Sequence, residues 1–131
     1  MNKPYDDKYV IDYNMILKRF EGDEYITLKV IELFYNLTPS ELEEYRSSLK
    51  QKNLDKIKNH AHKIKSRLQF LGCREAVQTF ESIEDAAESG IMEWSQASLS
   101  MMQLEQLISS AELILKGQLT NEQYVVKLVD T

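Results

Sequence analysis

The sequence predicts an all-α fold, an antiparallel four-helix bundle with a short N-terminal helix covering one end, and three observations carry that expectation. Apolar residues recur at spacings of three and four, not two, along four separate stretches. Gly22, Gly72, Gly90 and Gly117 each follow a helix-periodic stretch, the place where a C-terminal cap or turn is expected. No convincing β alternation precedes the segment 118–131.

In chain order, a leading helix is expected from about Val10 to Phe20. Ile26, Val30, Leu33 and Leu37 form the first apolar stripe of the bundle proper. The run Thr38-Pro39-Ser40-Glu41 reads as a helix start, with Thr as cap, Pro in the first turn and Glu reaching back. The alternative is a kink in one long helix from Asp23 to about Lys50, because Leu42, Tyr45 and Leu49 continue an apolar face. Leu54, Ile57, Ala61, Ile64, Leu68 and Leu71 make the second stripe; Val77, Phe80, Ile83 and Ala87 the third; Leu104, Leu107, Ile108, Ala111 and Leu115 the fourth. Short connections between them favour antiparallel neighbours. Residues 1–117 are thus expected to form the bundle. The tail, QLTNEQYVVKLVDT, fits an extra packed turn, an edge segment or a disordered terminus.

Composition narrows the function classes. A chain of 131 residues fits one domain, with roughly two-thirds of its surface buried on folding. The formal charge is −5 and no block of basic residues occurs, which argues against nucleic acid as partner. No apolar run approaches the roughly 20 residues that span a bilayer. The opening MNKPYDDKYV lacks the features of a signal peptide. Cys73 is the single cysteine, so no internal disulfide is expected. A cytoplasmic protein with a protein partner is the expectation.

The stretch Asn53–Gly72, NLDKIKNHAHKIKSRLQFLG, carries the chemistry. At roughly 100° per residue, His62, Lys65, Ser66 and Gln69 share one face, with Lys58 at its edge. That face lies roughly 90–170° from the mean direction of the apolar stripe, so the imidazole stands on the flank of the bundle. A neutral imidazole, with a reference pKa near 6.5, is nucleophilic at physiological pH. Lys65 at i+3 puts a positive charge within reach of a phosphoryl group on it. Ser66 at i+4 is small and leaves the surface open, and Gln69 offers a hydrogen bond to a neighbour or a partner backbone. Phosphoryl transfer needs mainly positioning and charge neutralisation, so a bare helix suffices as half of an active site.

Ala61-His62-Lys63-Ile64-Lys65-Ser66-Arg67-Leu68-Gln69-Phe70-Leu71-Gly72 resembles the pattern A-H-x-[LI]-K-G-x-x-x-x-[LIV]-G of histidine phosphotransfer (HPt) domains in two-component phosphorelays. Ile83-Glu84 and Ala87 are similar to that family's "L-E-x-x-A" run, and the likeness spans roughly Val10 to Gly117. The resemblance implies that His62 accepts phosphate from a receiver-domain aspartate and passes it to another receiver, with Lys65 assisting. It implies a response-regulator receiver domain or a hybrid sensor kinase as partner. It also implies that Mg²⁺ and most catalytic groups belong to the receiver, so the chain is not itself an enzyme, needs no cofactor of its own and is a monomer. The initial Met and domain-sized length favour a free-standing protein over a piece of a hybrid kinase. Ser66 replaces the family's usual glycine, a change that bears on transfer rate or partner choice.

Other residues have plainer readings. His60 projects away from His62, which rules out a metal pair at helical spacing, and is expected near the core boundary. Phe70 fits either partial burial against a neighbouring segment or an apolar contact for a docking receiver. Glu81, Glu84, Asp85 and Glu88 read as a solvated helix face. Cys73 reads as packed and inert, and the methionines, Met101 and Met102 among them, as bundle filling. Two further functional readings stand beside the leading one: a helical module that docks a receiver or kinase partner without being phosphorylated, and a bundle enzyme with a carboxylate–histidine metal site. The absence of an inward Glu-x-x-His pair speaks against the last.

Overall fold

A computed structural model describes residues 9–117, and within them the chain forms five helices and no strand. They are α1 (Tyr13–Arg19), α2 (Glu24–Gln51), α3 (Leu54–Leu71), α4 (Arg74–Ser89) and α5 (Trp94–Leu115). The tail expected at 118–131 lies outside the described residues.

Local chemistry sets the helix ends. The side chains of Asp12, Asp23 and Asn53 accept hydrogen bonds from the backbone N–H groups of Met15, Ile26 and Lys56, satisfying donors that α1, α2 and α3 would otherwise leave open. Gly72 and Gly90 close α3 and α4 in the left-handed conformation. Lys52 adopts the same conformation after α2 without being glycine. At Gly72 the requirement is twofold. Its φ is +74°, and a Cβ there would lie 2.2 Å from Cε of Met15 on α1.

Paired side chains fix the topology. Lys58 meets Glu88 and Lys65 meets Glu84, so α3 and α4 run antiparallel. Arg67 with Glu41 and His60 with Glu44 show the same for α3 and α2. The buried Tyr45 hydroxyl shares a 2.8 Å hydrogen bond with Ser100 Oγ, joining α2 to α5, and Arg46 reaches Glu105 at 3.1 Å beside it. The short α1 lies over the end where α3 and α5 finish. There Arg19 donates to the Phe70 carbonyl, and the N–H of Ile11 donates to Ser110 Oγ at 2.9 Å.

Three expected stripes are found inside. Ile57, Ala61, Ile64, Leu68 and Leu71 are buried, with Leu54 half-buried; Phe80, Ile83 and Ala87 are buried with Val77 half-buried; Leu104, Leu107 and Ala111 are buried with Ile108 and Leu115 half-buried. The region around Pro39 takes the single-helix alternative, since α2 runs unbroken through it. Proline has no N–H, so the Tyr35 carbonyl loses its usual i+4 donor there.

The first stripe is corrected by the structure. The N-terminal half of α2 buries Thr27, Ile31, Phe34 and Thr38, while Ile26, Leu33 and Leu37 are exposed and Val30 is half-buried. The physical reason is continuity. The series 27, 31, 34, 38, 42, 45, 49 stays at helical spacing through the whole element and ends on the buried Leu42, Tyr45 and Leu49. Extending the expected series Ile26, Val30, Leu33, Leu37 by the same steps runs into Glu41 and Glu44, which cannot line the core. Burying Thr27 is tolerable because its hydroxyl donates to the Asp23 carbonyl at 2.8 Å.

A histidine flank between a carboxylate and an apolar groove

His62 stands near the middle of α3 on its outward side, and its side chain is 59% exposed. One edge of the ring faces α4. Its Nδ1 lies 2.8 Å from Oε2 of Glu84, and the other carboxylate oxygen of Glu84 lies 2.8 Å from Nζ of Lys65. One carboxylate therefore spans the imidazole and the ammonium one turn further along. Both members of the ion pair are largely shielded, Lys65 at 15% and Glu84 at 17% side-chain exposure.

The charges follow from this contact. Burial acts to raise the pKa of Glu84, but the contacts from Lys65 and His62 outweigh it and hold the carboxyl below its ordinary value. The pKa of Lys65 is raised, first by the contact with Glu84 and against the opposing effect of burial; the nearby charges of Glu81 and Asp85 act weakly in the same direction as Glu84. Oε1 of Glu84 is buried and has no well-directed hydrogen bond, so the Lys65 charge is what compensates it. One turn toward the start of α3, Lys58 pairs with Glu88, closing the α3–α4 seam on that side.

The other side of α3 is apolar. Val30, Leu33 and Leu37 of α2 form a groove with Ser66 and Phe70 of α3, floored by Phe34 and Leu71. Leu33 is 57% exposed and Phe70 56%. Phe70 also meets the ring of Phe20 edge-on, with centroids 6.2 Å apart, so it is steadied from the α1 side while keeping most of its surface free. Both readings of Phe70 from the sequence thus have a counterpart: contact with the leading segment and an open apolar face. Arg67 borders the groove and is tied to Glu41.

The helical face expected to hold His62, Lys65, Ser66 and Gln69 together divides in the folded chain. Lys65 leans to α4 and is engaged by Glu84, whereas Ser66 lines the groove toward α2. The Ser66 hydroxyl donates to the His62 carbonyl at 3.1 Å, a bond within its own helix and not one to the imidazole. The Gln69 side chain is exposed and has no polar partner among the described residues. His60 sits at the boundary as expected, with a buried Nδ1 that lies 3.9 Å from Glu44 and makes no hydrogen bond. Among the described residues no group of three or more His, Cys, Asp or Glu side chains is placed to hold a metal.

Glu84 is the residue that sequence reasoning left out of the site. The sequence reads it with Glu81, Asp85 and Glu88 as a solvated face, yet Glu84 alone of the four meets partners on α3 with both of its oxygens. A signal was present: Glu84 follows the buried Ile83 directly and precedes the buried Ala87 by three, placing it at the edge of the buried stripe of α4.

No described helix is long and apolar enough to cross a membrane. A family model described as Hpt domain matches residues 29–123, which takes in α2 through α5 and the whole histidine flank. Comparison with curated proteins and with solved structures gave no match.

Proposed function

The chain belongs to the Hpt domain family, the histidine phosphotransfer carriers of two-component phosphorelays, and from that membership we propose that His62 is the residue that carries the phosphoryl group. The family role is that of a phosphocarrier, not of an enzyme, and its partners are receiver domains and kinases. The observation that supports His62 in particular is its engagement by Glu84. With Nδ1 donating to Oε2, the lone pair of the neutral ring lies on Nε2, at the exposed edge, where a phosphoryl donor has free approach. His60, the other histidine, is largely buried, and its Nδ1 faces α2 with no hydrogen-bond partner to fix the ring.

The finer reading is a shuttle between receivers. A receiver's aspartyl phosphate docks over the groove, with Leu33, Leu37 and Phe70 as its apolar contacts and Ser66 and Gln69 beside the transferring group. The exposed apolar surface next to a nucleophile is the kind of patch that recruits a protein partner. Nε2 attacks phosphorus, the Asp oxygen leaves as carboxylate, and the reverse attack by another receiver's carboxylate returns the ring to its neutral form. Lys65 supplies nearby positive charge, and Lys58 marks the lower edge of the contact area. The Mg²⁺ that such a reaction uses belongs to the receiver in this reading.

The experiment is phosphotransfer from a phosphorylated receiver domain to the purified chain. Acid-labile, base-stable phosphate should appear on the wild type and be absent from a His62→Gln variant. Full transfer to that variant would remove His62 from the role. Receiver binding with no phosphate on the wild type would leave the domain as a docking module.

A further inference from the structure

The fold treats the lysine and arginine side chains of α3 unequally. Lys58, Lys65 and Arg67 are each paired with a carboxylate of a neighbouring helix. The ammonium groups of Lys56 and Lys63 have no such partner among the described residues, and both line one cleft between the last turns of α2 and the first part of α3. We propose that this cleft is a binding site for a phosphate-type oxyanion, held between the Lys56 and Lys63 ammonium groups with Ser47 and Asn59 as hydrogen-bond donors. The inference stands whether or not His62 is the phosphoryl carrier.

Helical spacing brings the cationic groups together. Lys56, His60 and Lys63 follow at i, i+4 and i+7, so the two ammonium groups stand one turn to either side of the imidazole. Over seven residues the helix axis rises about 10 Å, a gap that two flexible four-carbon stems close on a single ion. The cleft has a volume of about 510 Å³, room for a phosphate and several of its waters. Ser47 Oγ accepts from the Gln51 amide at 3.3 Å, which leaves its own proton free to donate. The Asn59 side chain is exposed, has no polar partner among the described residues and adds two N–H donors. A tetrahedral oxyanion has enough oxygens to meet the ammonium groups and these donors at once, which chloride does not.

The cleft wall carries an independent sign that something is missing. His60 lines it, and the Nδ1 of its ring is shut off from solvent without a hydrogen bond. The nearest carboxylate, Glu44, lies 3.9 Å from that nitrogen, beyond hydrogen-bond reach. A buried ring nitrogen without a partner costs free energy, which an oxyanion or a water held by one recovers. Glu44 is the single carboxylate among the lining residues, and with 64% of its side chain exposed it is free to turn into solvent. Two ammonium groups against one carboxylate leave the cleft positive on a chain whose formal charge is −5, so the local sign runs against the composition. The site faces α2, away from the seam where Glu84 meets His62 and Lys65.

The test is a titration of the full chain with inorganic phosphate at constant pH, the ionic strength held fixed with sodium chloride, followed by the ring-proton NMR signals of both histidines. The expected result is a saturable displacement of the His60 signals, half-complete at about 1 mM phosphate, while those of His62 move much less. In the double variant Lys56→Gln, Lys63→Gln the affinity should fall about tenfold. Neither ammonium group has a partner in the fold, so this variant should unfold at the wild-type temperature without phosphate, and phosphate should raise the Tm of the wild type alone. Free phosphoserine as a second probe separates the sources of the anion: binding equal to or tighter than phosphate assigns the phosphate of an ester, weaker binding the free ion. A response that never saturates, equal movement of His60 and His62, or an unchanged response in the double variant would overturn the inference, since each is the mark of general charge screening.

Discussion

Nδ1 of His62 and Oε2 of Glu84 lie 2.8 Å apart across the α3–α4 seam, and the same carboxylate meets Lys65 at 2.8 Å. The His62 ring is therefore oriented by a residue from the next helix, not by its own.

Because the folded pKa of Glu84 is depressed, its contribution is present above the unfolded carboxyl pKa and is lost as pH falls through the folded value. The stability gap between wild type and Glu84→Gln should be about 1 kcal/mol at neutral pH, the scale of a charge-assisted bond that is partly open to solvent. It should shrink as pH drops below about 4. Urea unfolding at a series of pH values measures it, and a gap that stays constant into acid would contradict the assignment of the shift to these contacts.

The apolar groove should matter for partners and not for the fold. Leu33 is more than half exposed, so Leu33→Asp should change unfolding free energy by no more than about 0.5 kcal/mol. Transfer from a phosphorylated receiver should fall roughly tenfold, the effect of losing one moderate interface anchor. Loss of stability without loss of transfer would mean that the groove serves packing alone.

A side chain at Gly72 is expected to cost stability. Alanine there must hold φ near +74° and place its Cβ 2.2 Å from the end of Met15 and 3.0 Å from Arg19. Gly72→Ala should cost about 1–2 kcal/mol, from the backbone strain and the crowding of α1. The double variant with Met15→Ala should recover only the crowding part, since the backbone strain stays. Thermal unfolding of the two variants separates these contributions.

Cys73 should be inert in the folded chain. Burial pushes its thiol up to about 12, only partly opposed by the nearby Arg19, so little thiolate exists at neutral pH. Alkylation by iodoacetamide at pH 7.5 should be slow in buffer and rise sharply in denaturant. Rapid labelling of the native protein would show that the thiol is open.

Much of this molecule was legible from residue spacing. The α3 stripe from Ile57 to Leu71 is buried as its periodicity implies, and the same periodicity puts His62 at the surface and His60 at the core boundary. Over the first half of α2, spacing alone points to the wrong face, for a definable reason. Ile26, Val30, Leu33 and Leu37 satisfy helical spacing as well as Thr27, Ile31, Phe34 and Thr38 do, and hydrophobicity favours the wrong set. Only by following each series past Pro39 does the first collide with Glu41 and Glu44. The groove beside His62 is the consequence, built from the apolar set that the core leaves out.

What the sequence by itself determined is therefore what one helix decides alone: the i, i+3 and i+4 neighbours, the polar and apolar sides, the capping residues and the placement of His62 one turn before Lys65. The tertiary structure decided what lies across from each face. Glu84 reaches His62 because the register of the α3–α4 pair sets residue 84 opposite both 62 and 65, while Ser66 is turned to α2 and away from that seam. Helical periodicity is a property of the local backbone, whereas the partner of an outward side chain depends on how two helices slide and rotate against each other. That adjustment is settled by the whole core at once.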